Sequence, residues 1–278
     1  MTVAAFPAPA KLNLMLRVTG RRGDGYHLLQ TVFRFIDHGD TLRIAVREDG
    51  QILRGRPLAG VPAADDLTLR AARALKAFTG CRLGAEIVLD KRLPMGGGLG
   101  GGSSDAATVL LALNHLWRTG LPRSQLQALA LGLGADVPVF VFGRSALAEG
   151  IGEQLQPLRL QPAWYLVLVP PVAVPTREVF ADPELKRDSE KVKIQGFSVP
   201  PGNDLEAVVC RAYPEVARHL EWLRTQAPAQ MTGSGACVFA AFAGAAAAEA
   251  AWARRPTGMQ GFVARGMDLH PLLGLAEG

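Results

Sequence analysis

Cysteine is scarce in this chain: Cys81, Cys210 and Cys237 lie far apart in 278 residues. An odd number closes no disulfide framework, and none of the three has a partner at metal-ligand spacing. They read as reduced, small hydrophobes rather than as nucleophiles. Long apolar runs are missing as well. Spanning a bilayer takes ~20 residues, and the longest stretches here, such as 163–174, are short or broken by proline. The first ten residues lack the basic-then-apolar pattern of a secretory signal. No dense basic segment exists either, because the net charge of +5 arises from 30 basic against 25 acidic residues without a long run. That argues against a nucleic-acid partner and for a small phosphate-bearing ligand. The expectation is a cytoplasmic protein with no membrane partner.

What is present is an ordinary globular composition, 49% hydrophobic and 20% charged, in a chain long enough for two domains. Leu12, Leu14, Leu16 and Val18 alternate with Lys11, Asn13, Met15 and Arg17, which predicts a half-buried strand with Lys11 and Asn13 on one face. Two more strands are expected at 28–36 and 41–46, separated by a turn at His38-Gly39-Asp40. Asp65 or Asp66 caps a helix running to about Phe78, with Phe78 in its apolar stripe. A strand follows at 85–89, then buried helix 105–117 and a second helix at 124–133. Beyond these, strands at 164–169 and 237–242, one or two helices over 203–227 split near Pro214, and a helix at 243–254 are expected. The mixture without regular βαβ repetition predicts an α+β fold of two domains. Gly152, Pro157 and Pro162 mark a linker near 151–162, giving domains 1–155 and 156–278. The proline-rich, charged stretch 181–202 reads as a surface excursion.

Between the fourth strand and the buried helix stand Pro94, Met95, Gly96, Gly97, Gly98, Leu99, Gly100, Gly101, Gly102, Ser103 and Ser104. Glycines let the backbone turn its N–H groups toward an oxyanion, and the following helix start adds partial positive charge. Such a loop cradles phosphate. It does not end in Gly-Lys-Ser/Thr, so it is not a Walker A loop. Its glycines satisfy G-x-G-x-x-G by count, yet Leu121-Pro122-Arg123 stands where a dinucleotide fold needs an acidic residue.

The loop resembles the second motif of the GHMP kinases. Pro9-Ala10-Lys11-Leu12-Asn13 is similar to their first motif, and Met231-Thr232-Gly233-Ser234-Gly235-Ala236 to their third. The pair Gly101-Gly102 inserted before the serines resembles the methylerythritol branch of that family. The resemblance implies an N-terminal α/β ATP-binding domain and a ferredoxin-like α+β C-terminal domain. By position alone Asp136, before Val137-Pro138, reads as a helix N-cap, and Lys11 as a strand lysine with its head in water. The resemblance implies instead that Asp136 is catalytic, with Lys11 beside it to compensate its charge and that of phosphate. Asn13 would then bind the acceptor.

The same branch holds a cytidine. Tyr26 and His27, after Asp24-Gly25, resemble its base-recognition segment, and Phe180 its second stacking ring. Ile151, Thr176, Gly233, Ser234 and Gly235 match substrate-lining positions. The implied reaction moves the γ-phosphoryl of ATP to the 2-hydroxyl of 4-diphosphocytidyl-2-C-methyl-D-erythritol (CDP-methylerythritol), in a monomer or weak homodimer. Mg2+ is expected with the ATP; Ser103 or Ser104 could offer it a hydroxyl, and no paired carboxylates mark a cage. Asp65-Asp66 stands where the family has asparagine near the adenine.

Overall fold

The computed structural model describes residues 3–194 and 199–276. The chain runs β1 (Val3–Arg21), β2 (His27–Arg47), β3 (Ile52–Arg54), α1 (Leu67–Thr79), β4 (Gly84–Asp90), α2 (Gly101–Leu116), α3 (Arg123–Leu131), α4 (Val137–Phe142), β5 (Ala146–Glu149) and β6 (Gln154–Pro157). It continues through β7 (Trp164–Val169), α5 (Thr176–Ala181), α6 (Glu206–Ala212), α7 (Pro214–Arg224), β8 (Ala229–Met231), β9 (Val238–Phe242), α8 (Ala245–Ala253) and β10 (Gln260–Met267). The α+β expectation holds. Strands follow the order β3-β4-β2-β10-β7-β9-β8, with β1 paired to β2 and β5 bridging β2 and β6.

Two corrections concern the first hairpin. Residues 28–46 do not form two strands, because β2 runs unbroken through Gly39 opposite Pro9 of β1. A Cβ at Gly39 would lie 2.2 Å from the Ala8 carbonyl oxygen, so this glycine permits close strand approach rather than a turn. Nor is β1 half-buried: Ala8 through Asn13 are all buried. One face packs Phe6 and Ala8 with Phe33, Phe35 and Ile44 beneath α1, α2 and α4. The other packs Ala10 and Leu12 against Tyr165 and Val167 of β7 and Phe239 of β9. Alternate residues of β7, Leu166 and Leu168, face α6 and α7 instead. Hydrophobic contact on both faces thus locks the β1–β2 hairpin between a helical layer and strands β7 and β9.

Helix α2 is buried continuously from Ser104 to Asn114, as its all-round apolar sequence requires. It forms a rigid rod whose N-terminus carries the glycine loop. Asp66 caps α1, accepting from Thr68 N at 2.9 Å and Thr68 Oγ1 at 2.6 Å. Phe78, expected inside, is 56% exposed at the far end of that helix. Substituting Asp66→Ala should cost about 1 kcal/mol of stability, the usual worth of an N-cap. A urea midpoint unchanged from the parent protein would contradict this. The expected linker contains strand β6, which pairs with β5. Of the expected excursion 181–202, residues 195–198 lie outside the described residues. The rest is strapped to the hairpin: Ser189 N donates to Val18 O at 3.0 Å, and Val192 N to Gln30 Oε1 at 2.8 Å.

Candidate active site

The loop entering α2 turns into the left-handed region at Gly96, Gly98 and Gly100, with φ of 66°, 72° and 71°. It is held from both sides. Lys11 N of β1 donates to Leu99 O at 2.9 Å, and Cys237 N, at the start of β9, donates to Gly97 O at 3.1 Å. Gly101, Gly102 and Ser103 open α2 and line a cavity of about 540 Å³. Their N–H groups have no partner within the helix, so an anion placed there meets both free donors and the positive end of the helix dipole.

Lys11 is 2% exposed. Its ammonium faces three oxygens: Asn13 Oδ1 at 2.6 Å, Gly98 O at 3.0 Å and Asp136 Oδ2 at 3.1 Å. It also lies 5.5 Å from the Phe33 ring centroid. A lysine with its head in water is therefore the wrong reading of this position. Asp136 occupies the N-cap position of α4 but makes no side-chain capping bond. Its carboxylate stays available, 37% exposed at the cavity wall. Asn13 spends its amide oxygen on Lys11 and donates from Nδ2 to Thr31 Oγ1 at 2.8 Å. Both bonds orient Lys11 within the site.

Most of the remaining sequence candidates reach this cavity. Pro94 through Gly100, Ile151, Thr176, Phe180, Gly233 and Ser234 all line it. Ser104, Tyr26, His27 and Gly235 do not. The Ser104 side chain is fully buried and donates to Pro9 O at 2.7 Å, so its hydroxyl serves the loop and not a ligand. Gly235 faces away: a Cβ there would lie 2.8 Å from Met231 Sδ. Tyr26 is 59% exposed on the hairpin turn. His27, not Tyr26, stacks on Phe180, with centroids 4.9 Å apart and planes at 27°.

Sequence reasoning passed over a second charged group. Lys91, between β4 and the loop, contacts Asp40 Oδ2 at 2.5 Å and Asp105 Oδ2 at 2.8 Å. A Cβ at Gly101 would lie 2.9 Å from its ammonium, so Lys91 borders the start of α2. Burial opposes the charged ammonium, but Asp105 and Asp40 outweigh it and raise the Lys91 pKa. Burial pushes Asp105 up to about 7; Asp40 adds to the rise and Lys91 opposes it. A lysine just before the glycines was the available signal; Asp40 was masked by its apparent place in a turn. Thr232 and Asn203 were also missed. Thr232 Oγ1 accepts from Asn13 N at 2.9 Å and donates to Gly98 O at 3.3 Å, which joins the two glycine loops, and Asn203 Nδ2 holds Gly233 O at 2.8 Å. At the opposite end, Val61, Asp65, Asp66, Leu67 and Met95 line the cavity. Among the described residues, no group of three or more His, Cys, Asp or Glu could hold a metal ion.

The chain matches the GHMP kinases N terminal domain over residues 66–144 and the GHMP kinases C terminal domain over residues 194–258. It is 63% identical to a 4-diphosphocytidyl-2-C-methyl-D-erythritol kinase of Thiobacillus denitrificans, covering 96% of this chain and 97% of the relative. A protein of that name from Aromatoleum aromaticum is 58% identical, covering 98% and 96%. The crystal structure of a 4-(cytidine 5'-diphospho)-2C-methyl-D-erythritol kinase superposes with a TM-score of 0.79 at 35% identity, over 95% of this chain and 99% of that one. A mevalonate kinase at TM-score 0.68 and 14% identity shares the fold alone. The chain is a kinase and belongs to the 4-diphosphocytidyl-2-C-methyl-D-erythritol kinase family of the GHMP kinases.

Proposed function

We propose that this protein transfers the γ-phosphoryl of ATP to the 2-hydroxyl of 4-diphosphocytidyl-2-C-methyl-D-erythritol, a step of non-mevalonate isoprenoid synthesis. The observation that carries this reading is the Lys11–Asp136 pair, 3.1 Å apart. It stands in one cavity between the anion-binding start of α2 and the ring of Phe180. Asp136 accepts the proton of the acceptor hydroxyl as that oxygen bonds to the γ-phosphorus. The bond from the γ-phosphorus to the β–γ bridging oxygen breaks and ADP leaves. Lys11 compensates the charge of Asp136 and of the equatorial phosphoryl oxygens. Backbone N–H groups of Gly101, Gly102 and Ser103, with the Lys91 ammonium beside them, meet the β- and γ-phosphates.

Mg2+ belongs with the nucleotide. The donor set does not form a protein cage, because the Ser104 hydroxyl is spent on Pro9 O and, among the described residues, no group of three or more His, Cys, Asp or Glu could hold the ion. The reading includes a cytoplasmic, monomeric or weakly dimeric enzyme, divided near residue 155; among the described residues no helix is long and apolar enough to cross a membrane. Incubation with ATP and the cytidylyl acceptor should yield a phosphate monoester on the tertiary carbon, seen by phosphorus-31 coupling. An acceptor recovered unchanged overturns the reading.

Tyr26, His27 and Phe180 form the base end of the acceptor site. Phe180 already lines the cavity, whereas Tyr26 has to fold over the base from the exposed turn. Truncating either ring to alanine removes stacking of about 1–3 kcal/mol, roughly a five- to hundredfold rise in the acceptor KM. The base is remote from the reacting phosphorus, so kcat and the ATP KM should stay near normal. Steady-state kinetics with each substrate varied in turn make the comparison; normal acceptor KM values in both variants remove the base from these rings.

A further inference from the structure

We infer that Arg187 is a positioning residue for acceptor recognition: it fixes the tautomer and orientation of His27. The inference rests on the reading of His27 as a contact to the base. Arg187 lies in the strap that follows α5, 160 positions from His27, and its Nε donates to His27 Nε2 at 3.1 Å. A guanidinium has no acceptor atom and does not deprotonate in proteins. Nε2 must therefore be the acceptor, and the proton of the neutral ring must sit on Nδ1.

The guanidinium is itself held. Nη2 donates to Phe180 O at 3.0 Å and Asp182 O at 2.6 Å, and Nη1 to Leu185 O at 3.0 Å. One side chain thus closes the end of α5 and aims the ring that stacks on Phe180. The geometry also disfavours the imidazolium, whose Nε2–H would point into the guanidinium. Burial first, then the charges of Arg187 and of Arg21 at the end of β1, lower the His27 pKa; the aromatic face of Phe180 brings no charge. The ring thereby presents a constant N–H donor at neutral pH. Such a donor suits the acceptor-rich edge of cytosine, its O2 and N3, and is mismatched to the N3–H of uracil.

The test is nitrogen-15 NMR of the imidazole in the whole protein and in Arg187→Met and Arg187→Lys, with kinetics on the same samples. The wild-type ring should show a protonated Nδ1 and a bare Nε2. In Arg187→Met it should shift toward the Nε2–H form and take up a proton at higher pH. The acceptor KM should rise about five- to tenfold, one hydrogen bond's worth. That rise should shrink as pH falls, because the imidazolium regains an Nδ1–H, and the change should begin at a higher pH than the one at which the wild-type ring takes up its proton. The ATP KM should hold. Arg187→Lys keeps the charge without the fixed fork and should restore folding but not the tautomer. A merely structural role would move neither the tautomer nor the pH profile. A wild-type ring protonated on Nε2, or a tautomer unaffected in both variants, overturns the inference. A tautomer that shifts while the acceptor KM stays normal at every pH overturns instead the placement of the base against His27.

Discussion

Substituting Asp136→Asn should lower kcat by about 10²- to 10⁴-fold, the range that a positioned proton acceptor contributes, with the ATP KM nearly unchanged. The amide keeps the shape of the carboxylate, and Lys11 retains Asn13 Oδ1 and Gly98 O as partners, so the variant should fold. What it loses is the anionic oxygen 3.1 Å from the Lys11 ammonium, and with it the group proposed to take the hydroxyl proton. Asp136 makes no capping bond to α4, so the loss should fall on chemistry and hardly on stability. Circular dichroism melts and single-turnover kinetics together read both quantities. Near-normal turnover in a folded variant removes Asp136 from the mechanism; a large fall in melting temperature would return it to a structural role.

The other large effect is expected at Gly98→Ala, which should reduce ATP affinity by well over tenfold. Two causes combine there. Its φ of 72° lies where an L side chain costs roughly 1–2 kcal/mol. The added Cβ would also lie 2.2 Å from Thr232 O and 3.0 Å from Gly235 O. Both obstacles are backbone, so no rotamer change relieves them. The two glycine loops would have to part, and the Gly98 carbonyl that anchors Lys11 would move with them. Gly120→Ala separates the causes, since Gly120 has a φ of 65° with nothing within 4 Å of its would-be Cβ. That control should show the strain as a small loss of stability and no change in ATP binding. Calorimetry giving Gly98→Ala a normal ATP affinity would mean that the phosphates bind elsewhere.

The contrast between these positions explains what the sequence made legible. Local signals worked where the cause was local. Asp66 capping α1, the split of α6 from α7 at Pro214 and the apolar rod of α2 follow from propensity and periodicity, and all appear. The glycine loop was readable because left-handed turns and a helix start leave a compositional trace. Gly39 failed as a turn signal because the same residue type also serves close strand approach, and only the partner strand distinguishes the two uses. Position alone marked Asp136 as an N-cap, and it does occupy that place in the six-residue α4, but its side chain makes no capping bond, which position could not show. The burial of Lys11 depended on Asn13, Gly98 and Asp136 converging from three elements. Alternation in β1 alone could not show this. Distance in sequence hid the rest: Lys91 meets Asp40 across 51 positions and Arg187 meets His27 across 160. Neither pair has any spacing to detect.

The fold is shared with mevalonate and homoserine kinases at low identity, so the acceptor is the part of the account that the fold leaves free. ATP consumption measured side by side with 4-diphosphocytidyl-2-C-methyl-D-erythritol, mevalonate and homoserine, at equal concentrations and with magnesium present, tests it most directly. Turnover confined to the cytidylyl acceptor is the predicted result. Faster turnover with mevalonate or homoserine, or none with the cytidylyl compound, would contradict it.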